Sequence, residues 1–212
     1  MDLSRKVCLI TGASSGIGAA VAERLAARGA TLALAARRES DLHGASGSVH
    51  RVDLSDPAEA FGLAEAVLEE HGRVDVLVLN AGTRIDGAVS EVALEDLDRS
   101  FQVNVLSPFV LAGALAPGMA SRGEGVIAAL AAPMVSGGRR GMGAYAASKA
   151  ALESLTQTLR HEVGGKGVGV FAFDPGLVRT ELNPEGKEEP GAAADRLVAH
   201  LEAARSSRAV LS

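Results

Sequence analysis

Short apolar runs recur along this chain, and stretches with helical spacing, such as Pro57 to His71 and Tyr145 to Val163, separate most of them. Runs without polar alternation are typical of strands buried on both faces of a parallel sheet. The alternation therefore predicts an α/β fold, a doubly wound parallel sheet of about seven strands with helices on both faces and ligands at the carboxyl ends of the strands. The predicted strands are Val7 to Ile10, Thr31 to Ala35, Val49 to Val52, Val76 to Leu79, Val126 to Leu130, Val168 to Phe173 and Arg208 to Leu211.

The composition is that of an ordinary globular domain. The 212 residues are 47% hydrophobic and 22% charged, with a formal net charge of -5, so we predict a single domain over residues 1–212 and no nucleic-acid partner. The one cysteine, Cys8, lies in an apolar run and is interpreted as a small buried hydrophobe, which fits a reducing cytoplasm. We find no leader-like segment and no long apolar stretch, and therefore predict a cytoplasmic protein without a membrane span.

A glycine-rich turn follows the first predicted strand and leads directly into a helix. Its glycines have the spacing G-x-x-x-G-x-G. Because glycine has no Cβ, such a turn lets the backbone approach a pyrophosphate, whose charge the helix N-terminus favours. Glycines in turns also occur for structural reasons alone. The residues predicted to hold the pyrophosphate are Gly12, Ser14, Ser15, Gly16, Ile17 and Gly18.

Two arginines, Arg37 and Arg38, follow the second predicted strand. A carboxylate at this place would bind the ribose 2′-hydroxyl of NAD(H), whereas a guanidinium fits a 2′-phosphate. The sequence therefore predicts NADP(H) as the cofactor, with Arg37 as the phosphate ligand. The alternative is that the arginines are a solvated pair at a strand end.

Tyr145 is the only tyrosine of the chain and precedes Lys149 by four residues. Residues with this spacing lie on one face of a helix, so the two side chains can converge on one ligand. A free phenol has a pKa of about 10, which is too high for acid-base catalysis at neutral pH. We expect the Lys149 ammonium and an oxidised nicotinamide to lower the pKa of Tyr145.

The sequence resembles the short-chain dehydrogenase/reductase family through three motifs in the same order. They are the glycine turn of Thr11 to Gly18, Asn80-Ala81-Gly82 after the fourth predicted strand, and Tyr145-Ala146-Ala147-Ser148-Lys149. The resemblance extends to Asp53-Leu54, Asn104 and Pro175 to Thr180, and thus covers nearly the whole chain. It implies a Rossmann-like sheet with strand order 3-2-1-4-5-6-7.

The resemblance also implies a function, an NADPH-dependent oxidoreductase that interconverts a carbonyl and an alcohol of a small molecule by hydride transfer. Tyr145 would protonate the carbonyl oxygen, Lys149 would bind the cofactor ribose and tune Tyr145, and Asn104 would anchor a relay water. On residue type alone, the alternative for Asn104 is a helix kink or cap bonded to nearby backbone. The other residues that the resemblance places at the cofactor are Asp53, Leu54, Asn80, Ala81, Gly82, Pro175, Gly176, Val178 and Thr180. It further implies a homo-oligomer, a dimer through the helices at Ser107 to Ser121 and Tyr145 to Val163 or a tetramer.

The chain departs from the family pattern at Ala132. The family carries a serine thirteen residues before the tyrosine, and its hydroxyl holds the substrate oxygen; here that position is alanine. Loss of one such donor typically lowers turnover by about 10² to 10³. Ser136 is the nearest hydroxyl in the following loop. Arg139 and Arg140 in the same loop are either ligands for an anionic substrate or solvated charges.

Two other functions remain open at this point. Ala132 suits a non-catalytic NADP(H)-binding sensor or assembly partner, and the same scaffold suits an enzyme that uses Tyr145 without hydride transfer. The five histidines are scattered, and no histidine, cysteine and carboxylate cluster has the spacing of metal ligands, so we predict no metal site. The segment from Glu181 to Pro190 is short for a substrate lid.

Overall fold

The computed structural model describes residues 1–38, 42, 47–132 and 138–204. The strands within these residues are β1 (Val7–Thr11), β2 (Thr31–Ala36), β3 (Ser48–Arg51), β4 (Val76–Leu79), β5 (Gly125–Leu130) and β6 (Val168–Phe173). The helices are α1 (Gly16–Ala26), α2 (Pro57–His71), α3 (Leu94–Phe101), α4 (Ser107–Arg122), α5 (Gly143–Val163) and α6 (Pro190–Ala203). A π-helical segment, Gln102–Leu106, joins α3 to α4.

The strands form one parallel sheet in the order β3-β2-β1-β4-β5-β6. This order confirms the predicted doubly wound α/β fold. The predicted seventh strand, Arg208 to Leu211, lies outside the described residues, so the sheet described here has six strands. Strand order reverses at β1, which pairs with β2 on one side and β4 on the other. Ligands of open α/β sheets bind at this switch point, beyond the carboxyl ends of the strands.

Both faces of the sheet are buried, as the unbroken apolar runs predict. Leu9 of β1 belongs to the core between the sheet and helices α2, α4 and α5, which supply residues such as Leu63 and Leu111. The adjacent Ile10 belongs to the opposite core, where Leu25 of α1 and Leu197 of α6 cover the sheet. Successive residues of a strand point to opposite faces, and each fully buried aliphatic side chain of this size contributes about 1.5 to 3 kcal/mol. One strand therefore stabilises two layers of helices.

Asp75 is a buried carboxylate that fixes the start of β4 against β1. Its side chain is 1% exposed. Oδ2 accepts a hydrogen bond from the backbone N of Val7 at 3.0 Å, and Oδ1 accepts one from Nε of Arg73 at 2.8 Å. A buried charge is tolerated when it is paired and hydrogen-bonded in this way. The interaction therefore aligns the two central strands at the edge opposite the cofactor cleft.

Helix α2 has the bounds that the sequence predicts, because both of its ends carry recognisable signals. The Asp56 side chain accepts a hydrogen bond from the backbone N of Ala58 at 2.8 Å, and Pro57 is the first helical residue. Gly72 ends the helix in the left-handed conformation, with φ of 73°. Side-chain capping, proline at the first position and a left-handed glycine are the ordinary signals for helix ends.

Helices α3 and α4, with the π-helical segment between them, form one continuous helix from Leu94 to Arg122. Its length and apolar composition are sufficient for it to cross a membrane, so the expectation that the chain has no apolar stretch of this length is wrong. Leu111, Leu115 and Met119, however, are at most 3% exposed and pack in the core against the sheet. The apolar face of α4 is therefore accounted for by packing within the domain, as in the core helices of other doubly wound sheets.

Gly18 is the glycine of α1 whose replacement we expect to destabilise the fold most directly. A Cβ at this position would lie 2.2 Å from the carbonyl oxygen of Gly12 and 2.5 Å from Nδ2 of Asn80. We predict that Gly18→Ala lowers the free energy of unfolding by about 1 to 3 kcal/mol, because the helix must move away from β1. Urea unfolding followed by circular dichroism measures the change.

Gly62 provides the matched control for this experiment. It is an exposed glycine inside α2, and a Cβ added there meets no atom within 4 Å. Gly62→Ala should raise the free energy of unfolding by about 0.5 to 1 kcal/mol, since alanine restricts the unfolded chain. Equal effects of the two substitutions would contradict the close-packing role of Gly18.

Candidate active site

The cleft opens where β1 and β4 end, and one hydrogen-bond network fixes this point. Oγ1 of Thr11 accepts hydrogen bonds from the backbone N of Asn80 at 3.1 Å and of Ala81 at 3.0 Å, and donates one to the Val78 carbonyl at 3.3 Å. Nδ2 of Asn80 donates to the carbonyl oxygens of Thr11 at 2.9 Å and Gly12 at 3.0 Å. The two strand ends are therefore held as one unit, with the glycine turn beside the segment that follows β4.

Two glycines of the turn lie where a side chain would meet neighbouring atoms. Gly12 and Gly16 have φ of 64° and 55°, in the left-handed region that glycine adopts readily. A Cβ on Gly12 would lie 2.9 Å from Cα of Ala81, and one on Gly16 would lie 3.1 Å from Cγ2 of Thr180. The turn thus presents its backbone to the cleft and makes close contact with both walls.

The glycine turn leads into the N-terminus of α1, which has no side-chain cap. Ser15 stands at the N-cap but makes no side-chain capping hydrogen bond, and the first turn of α1 carries no acidic residue. Free N–H groups and the helix dipole at such an end attract an anion. The residues around the turn therefore fit a pyrophosphate, as the sequence predicts.

Three arginines, Arg37, Arg38 and Arg99, line the end of the cleft beyond β2 and β3, next to Asp53. Hydrogen bonds from Ser55 hold the pKa of the Asp53 carboxyl below its usual value, and the positive charges of Arg37 and Arg99 lower it further. This concentration of guanidinium groups suits a phosphate on the ribose. Arg99 lies in α3 and was not predicted as a site residue, because it belongs to none of the sequence motifs.

Tyr145 and Lys149 lie in the first part of α5 and both line the cleft. Nζ of Lys149 is 5.9 Å from the centre of the Tyr145 ring and donates a hydrogen bond to the Leu130 carbonyl at 2.8 Å. A Cβ on Gly82 would lie 3.6 Å from the same nitrogen. The ammonium group is thus placed between the ends of β4 and β5, and the structure brings the two side chains together as the spacing predicts.

Burial dominates the ionisation of both groups. It raises the pKa of Tyr145, which the nearby charge of Arg84 lowers and that of Asp174 raises. It lowers the pKa of Lys149 from 10.5 to about 8. Desolvation thus outweighs the effect of neighbouring cations, and Lys149 is not among the charges that lower the pKa of Tyr145 here. The effect of an oxidised nicotinamide stays a prediction. The cation that acts on Tyr145 is Arg84.

Asn104 lies in the π-helical segment and is fully buried behind the cleft. Its Oδ1 accepts a hydrogen bond from the backbone N of Thr83 at 2.8 Å, and its Nδ2 donates to the Thr83 carbonyl at 2.8 Å and to Oγ of Ser148 at 2.9 Å. These two bonds use both amide protons. The side chain therefore positions the segment after β4 against α5, which agrees with the alternative that it bonds to nearby backbone.

Ala132 follows β5, is 7% exposed and lines the cleft. Its methyl group cannot donate a hydrogen bond to a substrate oxygen. Ser136, the alternative hydroxyl, lies outside the described residues. Arg139 lines the cleft, whereas its neighbour Arg140 is exposed and does not.

The segment after β6 folds back on itself and forms the last wall of the cleft. The backbone N of Arg179 donates to the Glu188 carbonyl at 2.7 Å, and the backbone N of Thr180 donates to that of Asn183 at 3.2 Å. Thr180 and Asn183 both line the cleft. Although short, the segment from Glu181 to Pro190 therefore contributes a wall to the site.

The cleft has a volume of about 490 Å³. It gathers most of the residues that the sequence and the resemblance predict, namely Gly12, Ser14, Ser15, Gly16, Ile17, Arg37, Asp53, Leu54, Asn80, Ala81, Gly82, Tyr145, Lys149, Pro175, Gly176, Val178 and Thr180. Gly18 and Asn104 stand behind this lining, where they hold its walls together. Lining residues that the sequence analysis missed include Thr83, Arg84, Arg99, Val103, Met142 and Leu182.

Comparison with known proteins identifies the family. Residues 6–191 match the model of the short chain dehydrogenases, and the chain belongs to this family. It is 35% identical to 3-oxoacyl-(acyl-carrier-protein) reductase FabG of Escherichia coli, over 86% of this chain and 77% of FabG. It is 38% identical over 85% of its length to glycine betaine reductase ATRR of Emericella nidulans, of which it spans 15%. A metagenomic short-chain oxidoreductase in complex with NADP is 32% identical, with a TM-score of 0.87 over 100% of this chain and 96% of that one.

The lowered pKa of Lys149 predicts how stability changes with pH. Between about 8 and 10.5 the folded protein has lost the Lys149 proton that the unfolded chain still binds. The unfolded state then binds more protons, so the free energy of unfolding rises with pH in this window. We predict that the wild type gains stability over Lys149→Met by roughly 1.4 kcal/mol per pH unit above pH 8. Urea unfolding of both proteins from pH 7 to 9.5 measures the difference.

The comparison with Lys149→Met cancels groups that titrate in both proteins, such as Cys8, whose pKa burial raises to about 12. Lys166→Met, which removes an exposed lysine after α5, is the control for the loss of a charge. A constant difference between wild type and Lys149→Met across the range would contradict a desolvated lysine.

Proposed function

We propose that the protein is an NADP(H)-dependent oxidoreductase that interconverts a carbonyl and an alcohol of a small molecule. The observation that carries the proposal is the convergence of Tyr145 and Lys149 in the cleft that also holds the glycine turn and Arg37. An acid-base group, a ribose-binding cation and a dinucleotide cradle are thus parts of one site. The relatives named as reductases and the neighbour crystallised with NADP support this assignment.

The residues present fit the cofactor along its whole length. The glycine turn and the uncapped start of α1 suit the pyrophosphate, and Arg37 suits the 2′-phosphate. Gly82 and Lys149 lie between the strand ends, where the ribose of the nicotinamide half belongs. When bound, the cofactor supplies or accepts the hydride.

Tyr145 is the proton donor to the carbonyl oxygen in reduction and the acceptor in oxidation. Burial raises its pKa, so the phenol carries its proton at neutral pH, as a donor must, but is a weaker acid than a free phenol. Lys149 binds the cofactor ribose through protons that its bond to the Leu130 carbonyl leaves free. Arg84 contributes a positive field on the substrate side, and Ala132 contributes no hydrogen-bond donor. The site therefore performs proton transfer without the serine hydroxyl that, in the family pattern, holds the substrate oxygen at this position.

The remaining assignments belong to the same proposal. We infer one domain and a cytoplasmic location. We also infer a homo-oligomer, because Leu106, just before α4, is 42% exposed and Phe109, within α4, is 59% exposed. Exposed apolar side chains on the helix that the family resemblance places at the dimer interface support the dimer. Asn104 acts in catalysis as a positioning residue.

Tyr145→Phe tests the acid-base assignment. Removal of the hydroxyl should lower turnover of NADPH with an aldehyde, ketone or quinone substrate by at least about 10², the usual contribution of a positioned acid. Affinity for NADPH, measured by fluorescence titration, should stay within a factor of about 3, because the cradle is intact.

Ala132→Ser is the companion variant. Restoring a hydroxyl beside Tyr145 should raise turnover, by up to about 10²-fold if the serine reaches the substrate oxygen. Tight NADPH binding with no turnover in the wild type and in Ala132→Ser would instead support a non-catalytic NADP(H)-binding protein.

Arg37→Asp tests the choice of cofactor. A carboxylate in place of the guanidinium should weaken NADPH binding by at least about 10-fold and leave NADH binding within a factor of about 3, because only NADPH carries the 2′-phosphate. Arg5→Asp, an equal charge change at an exposed residue outside the cleft, is the control. Equal affinities of the wild type for NADPH and NADH would refute the assignment.

A further inference from the structure

A second cluster of chemically active side chains lies at the edge of the sheet, apart from the cofactor cleft. Ser48 and His50 lie on the same face of the edge strand β3, and Glu70 and His71 end helix α2. Helix α2 starts near the cleft, after Asp53 and Leu54, and runs back over its 15 residues towards the start of β3, a length of about 22 Å. The cluster therefore has no part in the site described above.

The four side chains of this cluster point their polar atoms at one place. Nε2 of His50 and Nε2 of His71 lie 2.9 Å and 2.8 Å from Oγ of Ser48. The Glu70 carboxylate lies near both imidazoles, with Oε2 3.6 Å from Nε2 of His50 and Oε1 3.7 Å from Nε2 of His71. The two histidine side chains are 14% and 13% exposed, and Glu70 is 48% exposed. The site is thus shielded on the protein side and open to solvent through Glu70.

We propose that His50, Glu70 and His71 bind one divalent transition-metal ion, for which Zn²⁺ is the best match. Two imidazoles and one carboxylate are a common zinc ligand set, and tetrahedral ligands at about 2.0 to 2.1 Å from the ion lie about 3.4 Å apart. The ligand atoms here, one from each residue, lie within 4.8 Å of one another, so side-chain movements of about 1 Å bring them to the tetrahedral spacing. Imidazole ligands favour zinc, copper or nickel over magnesium or calcium.

The sequence analysis predicted no metal site because the histidines are scattered along the chain. His50 and His71 stand far apart in sequence, and only the packing of α2 on β3 brings them together. Ser48 completes the arrangement, since its hydroxyl can hydrogen-bond to a water in the open fourth position of the ion. Zinc with three protein ligands characteristically keeps such an open position.

Without an ion, the same side chains hold one another by hydrogen bonds. Ser48 has one hydroxyl proton, so it donates to only one of the two imidazoles, and the other must be protonated at Nε2. An ion instead takes the Nε2 lone pairs of both rings, so that each neutral ring carries its proton on Nδ1. The two arrangements differ in a measurable way, because only the second binds metal.

The ion would fasten the edge strand β3 to the end of helix α2. Among the residues that the structure describes, strand β3 pairs with β2 alone, over four residues. The segment between His50 and His71 carries Asp53 and Leu54 of the cofactor cleft. A bond from β3 through the ion to the end of α2 closes this segment into a loop. Metal binding to the folded state therefore stabilises the fold and this wall of the cleft.

The test uses the full chain, freed of metal by dialysis against a chelator. We expect isothermal titration with Zn²⁺ to give about one equivalent of bound ion and a higher melting temperature, whereas Mg²⁺ gives neither. Co²⁺ should produce the intense visible absorption of a tetrahedral site. His50→Gln and His71→Ala should each weaken binding by more than about 10-fold and abolish the Co²⁺ spectrum.

His161→Ala is the matched control, because His161 is an exposed histidine of α5 outside the cluster. It should bind Zn²⁺ as the wild type does. Circular dichroism of each variant separates loss of the ligand from loss of the fold. A hydrogen-bonded cluster only, without metal, is shown if the wild type binds no Zn²⁺ or if His50→Gln and His71→Ala bind it as tightly as the wild type, and either result overturns the proposal.

Discussion

The hydrogen bonds between Thr11 and Asn80 are the interaction on which the site depends. They join the ends of the two central strands at the point where strand order reverses, so the turn after β1 and the segment after β4 form one cleft. Polar groups at this depth are stable because each finds a partner. The glycine turn, the close approach of Gly18 to the Gly12 carbonyl and the position of Ala81 all follow from this junction.

A second layer of contacts holds the catalytic helix in place. Asn104 uses its side chain to tie Thr83 to Ser148 of α5, and Lys149 reaches across to the Leu130 carbonyl at the end of β5. The carboxyl ends of β4 and β5 and the start of α5 are therefore mutually fixed, and Tyr145 is presented to the cleft by a rigid support. Asn104 thus supports the walls of the cleft from behind its lining.

The electrostatics of the site are set by burial more than by pairing. Lys149 is almost fully buried, and its pKa falls to about 8, while the pKa of Tyr145 rises. The phenol therefore carries its proton at neutral pH, which is the state that proton donation in the reductive direction requires. The alanine at position 132 offers no side-chain donor to the cleft, whereas Tyr145 and Arg84 both line it. No sequence motif indicated the place of Arg84.

The layered fold, the glycine turn and the pairing of Tyr145 with Lys149 could be predicted from the sequence, because these features depend on local periodicity and on spacings within one turn or one helix. The position of Arg37 after β2 could be predicted as well, because the ends of strands can be located from apolar runs. Tertiary structure decided what distant segments do to one another: the buried role of Asn104, the entry of Arg84 and Arg99 into the cleft, and the direction of the pKa shifts. It also brought His50 to His71, because contacts between β3 and α2 follow from packing in three dimensions and leave no periodic signal along the chain.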